Sequence, residues 1–147
     1  MTTFQLRPHN AWPDAEQVVV TWLQRLLTDV NVVTETDTTF ATSAPNPGMR
    51  IPLIRVTRVP GGNTDLVSAT EEAVVDVEYF GLNRAGAWGL YRYGHAAMLQ
   101  LTGQRTGSGG VDLVEVDNGA GEVDYHNPTV RRIVTTYRLA IRAQATV

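Results

Sequence analysis

The chain contains no cysteine, and all 12 of its basic residues are arginine, so it also has no lysine. The absence of cysteine excludes disulfides, thiolate nucleophiles and cysteine zinc sites. The absence of lysine excludes Schiff-base catalysis and the phosphate-binding lysine of a P-loop. An arginine-only composition is typical of a GC-rich gene. Several large classes of enzyme are therefore excluded before any motif is considered.

Charged residues are also few, at 18% of the 147 residues, and the formal net charge is -3. A protein whose main task is to bind a nucleic acid duplex normally carries a basic face, so this balance argues against that task. The first ten residues, MTTFQLRPHN, contain no apolar signal core, and no apolar run approaches the length of a membrane span. We therefore expect neither a secretion signal nor a membrane segment.

Residues that carry catalytic or metal-binding chemistry are scarce and badly spaced. The three histidines and the three serines lie outside H-x-x-H, H-E-x-x-H and G-x-S-x-G patterns: His9, His95, His126, Ser43, Ser68 and Ser108. The Gly-rich segment Gly103–Gly110 follows a predicted helix and lacks the lysine of a phosphate loop. The acidic residues after Asp117 do not have EF-hand spacing. The sequence predicts no catalytic residue, no metal site and no cofactor.

An apolar fraction of 43% at this length predicts one domain with a real core. Periodicity predicts two helices, five strands and long loops in the order α-β-β-β-α-β-β, an α+β fold in which a mixed or antiparallel sheet of about four to five strands packs against the helices. The predicted helices are Pro13–Thr28 and Arg84–Leu101. The predicted strands are Asn31–Thr36, Leu53–Val59, Glu72–Phe80, Val111–Val116 and Val130–Ala143.

The second predicted helix has an aromatic stripe and a face of small residues. His95 lies in the stripe between Tyr91 and Leu99, and we expect it to be packed and hydrogen-bonded. Each glycine inside a helix costs about 1 kcal/mol relative to alanine. Gly86, Gly89 and Gly94 therefore predict a helix that is stabilised by tertiary or quaternary packing, with its backbone approached closely on its small side.

Two acidic residues, Asp76 and Glu78, lie two apart on one face of a predicted strand. Neighbouring carboxylates can act as an acid–base pair, but only in a cleft that perturbs their ionisation. Arginines on the last predicted strand offer the alternative of salt bridges: Arg132, Arg138 and Arg142. We expect salt bridges, within the subunit or to a neighbouring subunit, and not catalysis.

The order of segments resembles one protein family. A proline-rich loop leads into PLIRVTRVPGGNTD, then an acidic strand DVEYFG, then the helix NRAGAWGLYRYGHAAMLQL, then VDLVEVDNGAGEVDYHNP and a final strand RRIVTTYRLAIRA. This layout, over nearly the whole chain, resembles the tail terminator, or tail completion, proteins of long-tailed bacteriophages, especially those of actinobacterial hosts. We therefore expect residues 1–147 to form a single tail-terminator-like domain.

The resemblance implies a virion protein of the tail or neck, assembled in the host cytoplasm as a homo-oligomeric ring, a hexamer. Such rings cap the finished tail tube and present a surface to the head-side connector or stopper protein, and genomic DNA passes through the lumen without being read. Its partners would be itself, the major tail tube protein and the connector, with no membrane. A neutral or acidic chain suits such a pore, because strong phosphate contacts would slow the DNA.

Under this reading we expect two kinds of contact residue. Subunit-interface candidates lie on the charged strand faces and the small side of the second helix: Asp76, Glu78, Gly86, Gly89, Arg132, Arg138 and Arg142. Candidates for contact with tube and connector lie in the loops Phe40–Pro52, Gly103–Gly110 and Asp117–Pro128: Asn46, Met49, Arg50, Arg105, Ser108, Asn118, Glu122 and Asp124.

Two alternatives stay open at the level of sequence. One is another neck component, such as a head-closure protein or a connector adaptor, which would also be small, ring-forming and without an active site. The other is a small α+β enzyme or ligand-binding domain in which His95 and the pair Asp76 and Glu78 line one pocket.

Overall fold

The computed structural model describes residues 11–34, 51–126 and 128–143. These residues form two helices and seven strands, numbered in chain order: α1 (Ala15–Leu26), β1 (Asn31–Val33), β2 (Leu53–Val59), β3 (Thr64–Asp65), β4 (Thr70–Gly81), α2 (Arg84–Gln100), β5 (Arg105–Thr106), β6 (Gly109–Val123) and β7 (Arg131–Arg142).

The strands form one sheet with both helices packed against it, which confirms the predicted α+β class. The strand order is β1-β2-β4-β7-β6-β5, with β3 beside the start of β4. The pairing of β1 with β2 is parallel and the other pairings are antiparallel. The described part of the chain has more strands than expected because β3 and β5 contain only two residues each, too few for an alternating pattern.

The first helix is fixed at its start by a capping side chain. Asp14 Oδ1 accepts hydrogen bonds from the backbone N–H groups of Glu16 and Gln17, at 3.0 and 3.3 Å. This cap satisfies donors that no helical carbonyl can reach, so the helix begins at Ala15 and not at Pro13. Its apolar face, which includes Val18, Val19 and Leu23, is buried against the sheet.

The core lies between the helices and one face of the sheet. Strands β4 and β7 pair along their full lengths, and their alternate residues point to the helices. These buried residues are the predicted apolar faces of both strands: Ala73, Val75, Val77, Tyr79, Ile133, Thr135, Tyr137, Leu139 and Ile141. A smaller apolar cluster of Leu53, Phe80 and Val130 lies apart from this core.

The second helix begins at Arg84, as predicted, because the Asn83 side chain accepts a hydrogen bond from Gly86 N at 2.7 Å. Trp22 Nε1 of α1 donates to the backbone carbonyl of Ala97 at 2.7 Å, which joins the two helices. The buried face of α2 holds Ala87, Leu90, Gly94, Ala97 and Met98, whereas Leu99 of the predicted stripe is exposed.

Strand β6 is much longer than predicted. The sequence predicted a strand over Val111–Val116 and then a polar turn over Asp117–Pro128, but β6 continues to Val123. The register with β7 shifts at three points, between Val111 and Leu113 and on either side of Asn118. These irregularities accommodate residues that usually form turns within a strand. Pairing with the long strand β7 outweighs the preference of these residues for a turn.

Candidate functional site

The sheet face opposite the helices carries a buried carboxylate held by two arginines. Glu78 on β4 lies directly across from Arg55 on β2 and diagonally from Arg132 on β7. Arg55 Nε and Nη2 each donate to Glu78 at 2.7 Å, and Arg132 Nη1 donates at 3.1 Å. Glu78 is only 6% exposed. Both carboxylate oxygens are occupied by arginine donors, an arrangement that suits a structural ion pair better than proton transfer.

Arg132 also attaches the segment after β6 to the sheet. Arg132 Nη2 donates to the backbone carbonyl of Asp124 at 2.8 Å, and its guanidinium lies 5.5 Å from the ring centroid of Tyr125. The Arg55 guanidinium lies 5.7 Å from the ring centroid of Phe80. These cation–π contacts add to the ion pair and connect β2, β4, β7 and residues 124–125.

Other charged side chains of this face also form cross-strand pairs within the chain. Arg138 bonds to Asp117 at 2.8 Å and lies 3.7 Å from Glu72, and Arg142 lies 3.1 Å from Asp112. Asp76 accepts a hydrogen bond from Thr136 Oγ1 at 2.6 Å.

Of the arginines predicted to pair with the strand face of Asp76 and Glu78, Arg132 pairs with Glu78, and Arg138 lies 3.7 Å from Glu72 on the same face. Arg138 also pairs with Asp117, which the longer β6 brings alongside β7, and Arg142 pairs with Asp112 of β6. Assignment of these residues to a subunit interface stays a prediction.

His95 is packed and hydrogen-bonded, as expected. Its Nδ1 lies 2.7 Å from the Tyr137 hydroxyl, which lies 3.1 Å from the Tyr79 hydroxyl, and the Tyr91 ring stacks on the imidazole at 5.0 Å. Burial lowers the pKa of His95 and raises the pKa of Tyr79 and of Tyr137. The group is a hydrogen-bonded chain of rings between α2 and the sheet.

The pocket that an enzyme reading requires does not form. His95 contacts Tyr137 on the helix-bearing face of the sheet, whereas Asp76 and Glu78 alternate with Val77 and Tyr79 and so point to the opposite face. The expectation that these three residues could line one pocket is therefore wrong. In the residues that the structure describes, no cluster of three or more histidine, aspartate or glutamate side chains could hold a metal.

The predicted contact residues fall in three different settings. Asn118 and Glu122 lie in strand β6 and not in a loop, and Asp124 follows it. An open recess of about 420 Å³ at the end of the sheet is lined by residues that include Glu122, Asp124, Val130 and Arg131.

The remaining contact candidates divide between the β5–β6 hairpin and a segment outside the described residues. Arg105 in β5 is exposed, but the Ser108 hydroxyl is bonded to Thr21 at 2.9 Å and helps to attach the hairpin to α1. Asn46, Met49 and Arg50 lie outside the described residues, as does most of the loop Phe40–Pro52.

The three helical glycines have different surroundings. A methyl group at Gly94 would overlap Cε1 of Tyr79, so this glycine lets α2 approach β4. A methyl group at Gly89 would meet nothing within 4 Å, and one at Gly86 would meet only the Asn83 cap, at 3.2 Å. The sequence predicted a close approach to the backbone of this helix, and at Gly94 the Tyr79 ring of the same chain makes one. The roles of Gly86 and Gly89 at an interface stay predictions.

Two exposed surfaces were not predicted by sequence reasoning. At the turn between β3 and β4, Leu66 and Val67 are 79% and 98% exposed, and Asp65 Oδ1 fixes the turn by accepting a hydrogen bond from Val67 N at 2.9 Å. The second exposed surface is the far half of β6. Valines and acidic residues alternate from Val114 onward, which is a sequence pattern typical of a strand. Asn118-Gly119 interrupts this pattern, so the sequence did not predict that the strand continues.

Taken together, the described residues have the features of a structural protein: a sheet with paired charges, a packed core and exposed apolar positions at its edges. Over residues 11–147 the sequence matches the family described as phage tail termination protein, and the chain belongs to that family. It is a structural protein of the bacteriophage tail and a component of the virion.

Among solved structures, the fold is similar to that of a chain from the virion of a native gene transfer agent particle. The two share 13% sequence identity at a TM-score of 0.57, over 86% of this chain and 93% of the other. Comparison with curated proteins gives no match. No helix in the described ranges is long and apolar enough to cross a membrane.

Proposed function

We propose that this protein forms a ring at the head-proximal end of the phage tail tube, where it ends tube growth and joins the tail to the head-side connector. The observation that carries the proposal is the family match over residues 11–147. The similarity of the fold to a chain of a gene transfer agent virion is consistent with it. The activity is non-enzymatic, and the subunit, a single domain over residues 1–147, would be one of six identical copies assembled in the host cytoplasm.

The chemistry of the sheet supports a role in assembly. Arginine side chains of β2 and β7 pair with acids in the same chain, so the face opposite the helices is largely neutralised. Over the described strands, this sheet face presents no strong basic surface to DNA, which suits a lumen through which genomic DNA moves without being retained. An actinobacterial host, suggested by the arginine-only composition, is part of the same proposal.

The contact with the tube and connector is assigned to the β5–β6 hairpin with Arg105 and to the recess at the end of the sheet beside Glu122 and Asp124. Both lie at ends of strands, where exposed polar side chains can meet a partner.

Deletion of the gene tests the proposal. Tails assembled without this chain should be longer than normal and variable in length, and they should fail to join heads; supplying the chain should restore both properties. Tails of normal length that still fail to join heads would instead indicate a head-closure or adaptor protein. Tails of normal length that join heads would contradict the proposal.

A further inference from the structure

The outer face of α2 is cationic and partly apolar. Its only charged residues are Arg84 and Arg92; both are exposed, and neither forms an ion pair with any of the described residues. On the same face Tyr93 is 72% exposed and Leu99 is 43% exposed. A large aromatic side chain beside an arginine is the composition that protein interfaces favour.

Gly89 lies on this face and has no intramolecular reason to be glycine. Nothing lies within 4 Å of the position that its Cβ would occupy, yet glycine costs a helix about 1 kcal/mol relative to alanine. A neighbouring chain close to the backbone would account for this residue.

Strand β6 carries the opposite charge. Between Gly109 and Tyr125 there is no basic residue, and every charged side chain is acidic: Asp112, Glu115, Asp117, Glu122 and Asp124. Glu115 lies across from Arg138 and interacts with it electrostatically, but it forms no ion pair within 4 Å in the described part of the chain. Asp112, Asp117 and Glu122 are paired with arginines of β7.

The outer edge of β6 is open over its far half. Beyond Val114, whose N–H donates to Thr102 Oγ1, no described strand other than β7 pairs with it. Leu113, Val116 and Val123 are each 43% exposed. A long open edge with apolar side chains is a surface on which another chain can dock.

These two surfaces lie in different places on the subunit. α2 lies over β4 and β7 on the helix-bearing face, and the open edge of β6 lies at the side of the sheet. A contact between unlike surfaces of identical subunits repeats from one copy to the next, and it closes into a ring when the rotation allows. Opposite charge and exposed apolar positions on both surfaces make them complementary.

We propose that the outer face of α2 in one subunit docks on the open edge of β6 in the next copy, with Arg92 facing the acidic strand around Glu115. This inference rests on the proposed ring and names the surfaces that form it. The occupant of the α2 face is therefore a second copy of this chain.

Charge reversal tests the contact in assembled tails. Arg92→Glu alone and Glu115→Arg alone should each lower the amount of this chain in purified tails by about tenfold or more, because each places like charges together. The double variant should restore incorporation to within about twofold, since reversal of both charges regenerates the attraction. Arg25→Glu, on the other helix, is the matched control and should leave incorporation unchanged. Single variants without effect, or a double variant that is not rescued, would overturn the proposal.

Cysteine cross-linking identifies the occupant directly, because the natural chain has no cysteine. A chain with Tyr93→Cys and Val116→Cys should give, on oxidation of purified tails, a ladder of covalent multimers of itself. The pair Tyr93→Cys and Val67→Cys, in which the second position is at the β3–β4 turn, should give none. A link from position 93 to a different tail protein, or a ladder from the control pair alone, would show that another surface covers α2.

Failure of this inference can be told apart from failure of the proposed function. If electron microscopy shows a ring of this chain at the tail end but rescue and ladder are absent, the function holds and the α2–β6 contact is wrong. If the chain is absent from the tail end, the proposed function itself is wrong and this contact falls with it.

Discussion

Glu78 is a buried carboxylate that arginines from two neighbouring strands hold in place. Its side chain is 9% exposed and those of Arg55 and Arg132 are 20% and 21% exposed. Loss of its charge leaves two arginines in a partly buried site without their counter-ion, which is more costly than loss of a surface pair.

We therefore expect Glu78→Gln to lower the free energy of unfolding by about 3 kcal/mol. Glu122→Gln is the matched control, since its pair with Arg131 is exposed, and it should cost less than about 1 kcal/mol. Urea unfolding of both variants measures the difference. Equal effects of the two substitutions would show that the Glu78 cluster is not a structural centre.

His95 makes the stability of the subunit depend on pH. Burial lowers the pKa of His95 from its ordinary value of 6.5, so the unfolded chain binds a proton more readily than the folded chain. The stabilisation that this site provides should be complete above the unfolded pKa and should be lost as the pH falls through 6.5 toward the lower folded pKa.

Urea midpoints between about pH 8 and about pH 5 measure this effect. His95→Gln should flatten the curve in that range. A curve for His95→Gln that runs parallel to that of the natural chain would assign the pH dependence to other groups.

Individual residues were only partly predictable from the sequence. The packing of His95 followed from its place in an apolar stripe, and a salt bridge at Glu78 followed from charge alternation on two strands. The partners were less predictable because they depend on strand order: Arg55 lies across from Glu78 only because β2 and β4 are neighbours, and no local pattern states that. Alternation along β4 places Glu78 and Tyr79 on opposite faces of the sheet. His95 lies on the side of Tyr79 because α2 packs against that face.

At the scale of elements, the packing of α2 can be tested at two glycines, Gly94 on its buried face and Gly89 on its outer face. Gly94→Ala places a methyl group where Tyr79 Cε1 lies, and Tyr79 is fixed by its bond to Tyr137. We expect a loss of about 1–3 kcal/mol in unfolding free energy, the usual cost of overpacking.

Gly89→Ala should have the opposite effect on the isolated subunit, a gain of about 1 kcal/mol, because the methyl group meets open space and alanine favours the helix. Thermal unfolding of the two purified variants gives both values. A loss of stability at Gly89, or no loss at Gly94, would contradict the packing described for this helix.

The element most poorly predicted was β6. The helices and the strands β2, β4 and β7 have clear periods of 3.6 or 2 residues, so local pattern was sufficient for them. In β6, Asn118-Gly119 and Gly121 interrupt the alternation and are typical of a turn. Their extended conformation comes from pairing with β7 across irregular register, a tertiary effect that the local sequence does not encode.

At the scale of the whole molecule, the arrangement of charge is more consistent with the proposed passage of DNA through a ring than with a DNA-binding surface. The net charge is -3, and each arginine of β7 has an acidic partner in the same chain. We expect the purified chain to show no retention of duplex DNA in a gel-shift experiment at physiological salt. Binding that weakens steeply as salt is added would indicate several phosphate contacts and contradict this reading.

The most direct test of the central claim is cryo-electron microscopy of purified tails at the end that joins the head. The account predicts a closed ring of this chain on the last layer of the tube, open at its centre, with α2 of each copy against β6 of the next. Density for this chain elsewhere in the virion, or a tube end without it in tails of normal length, would contradict the account.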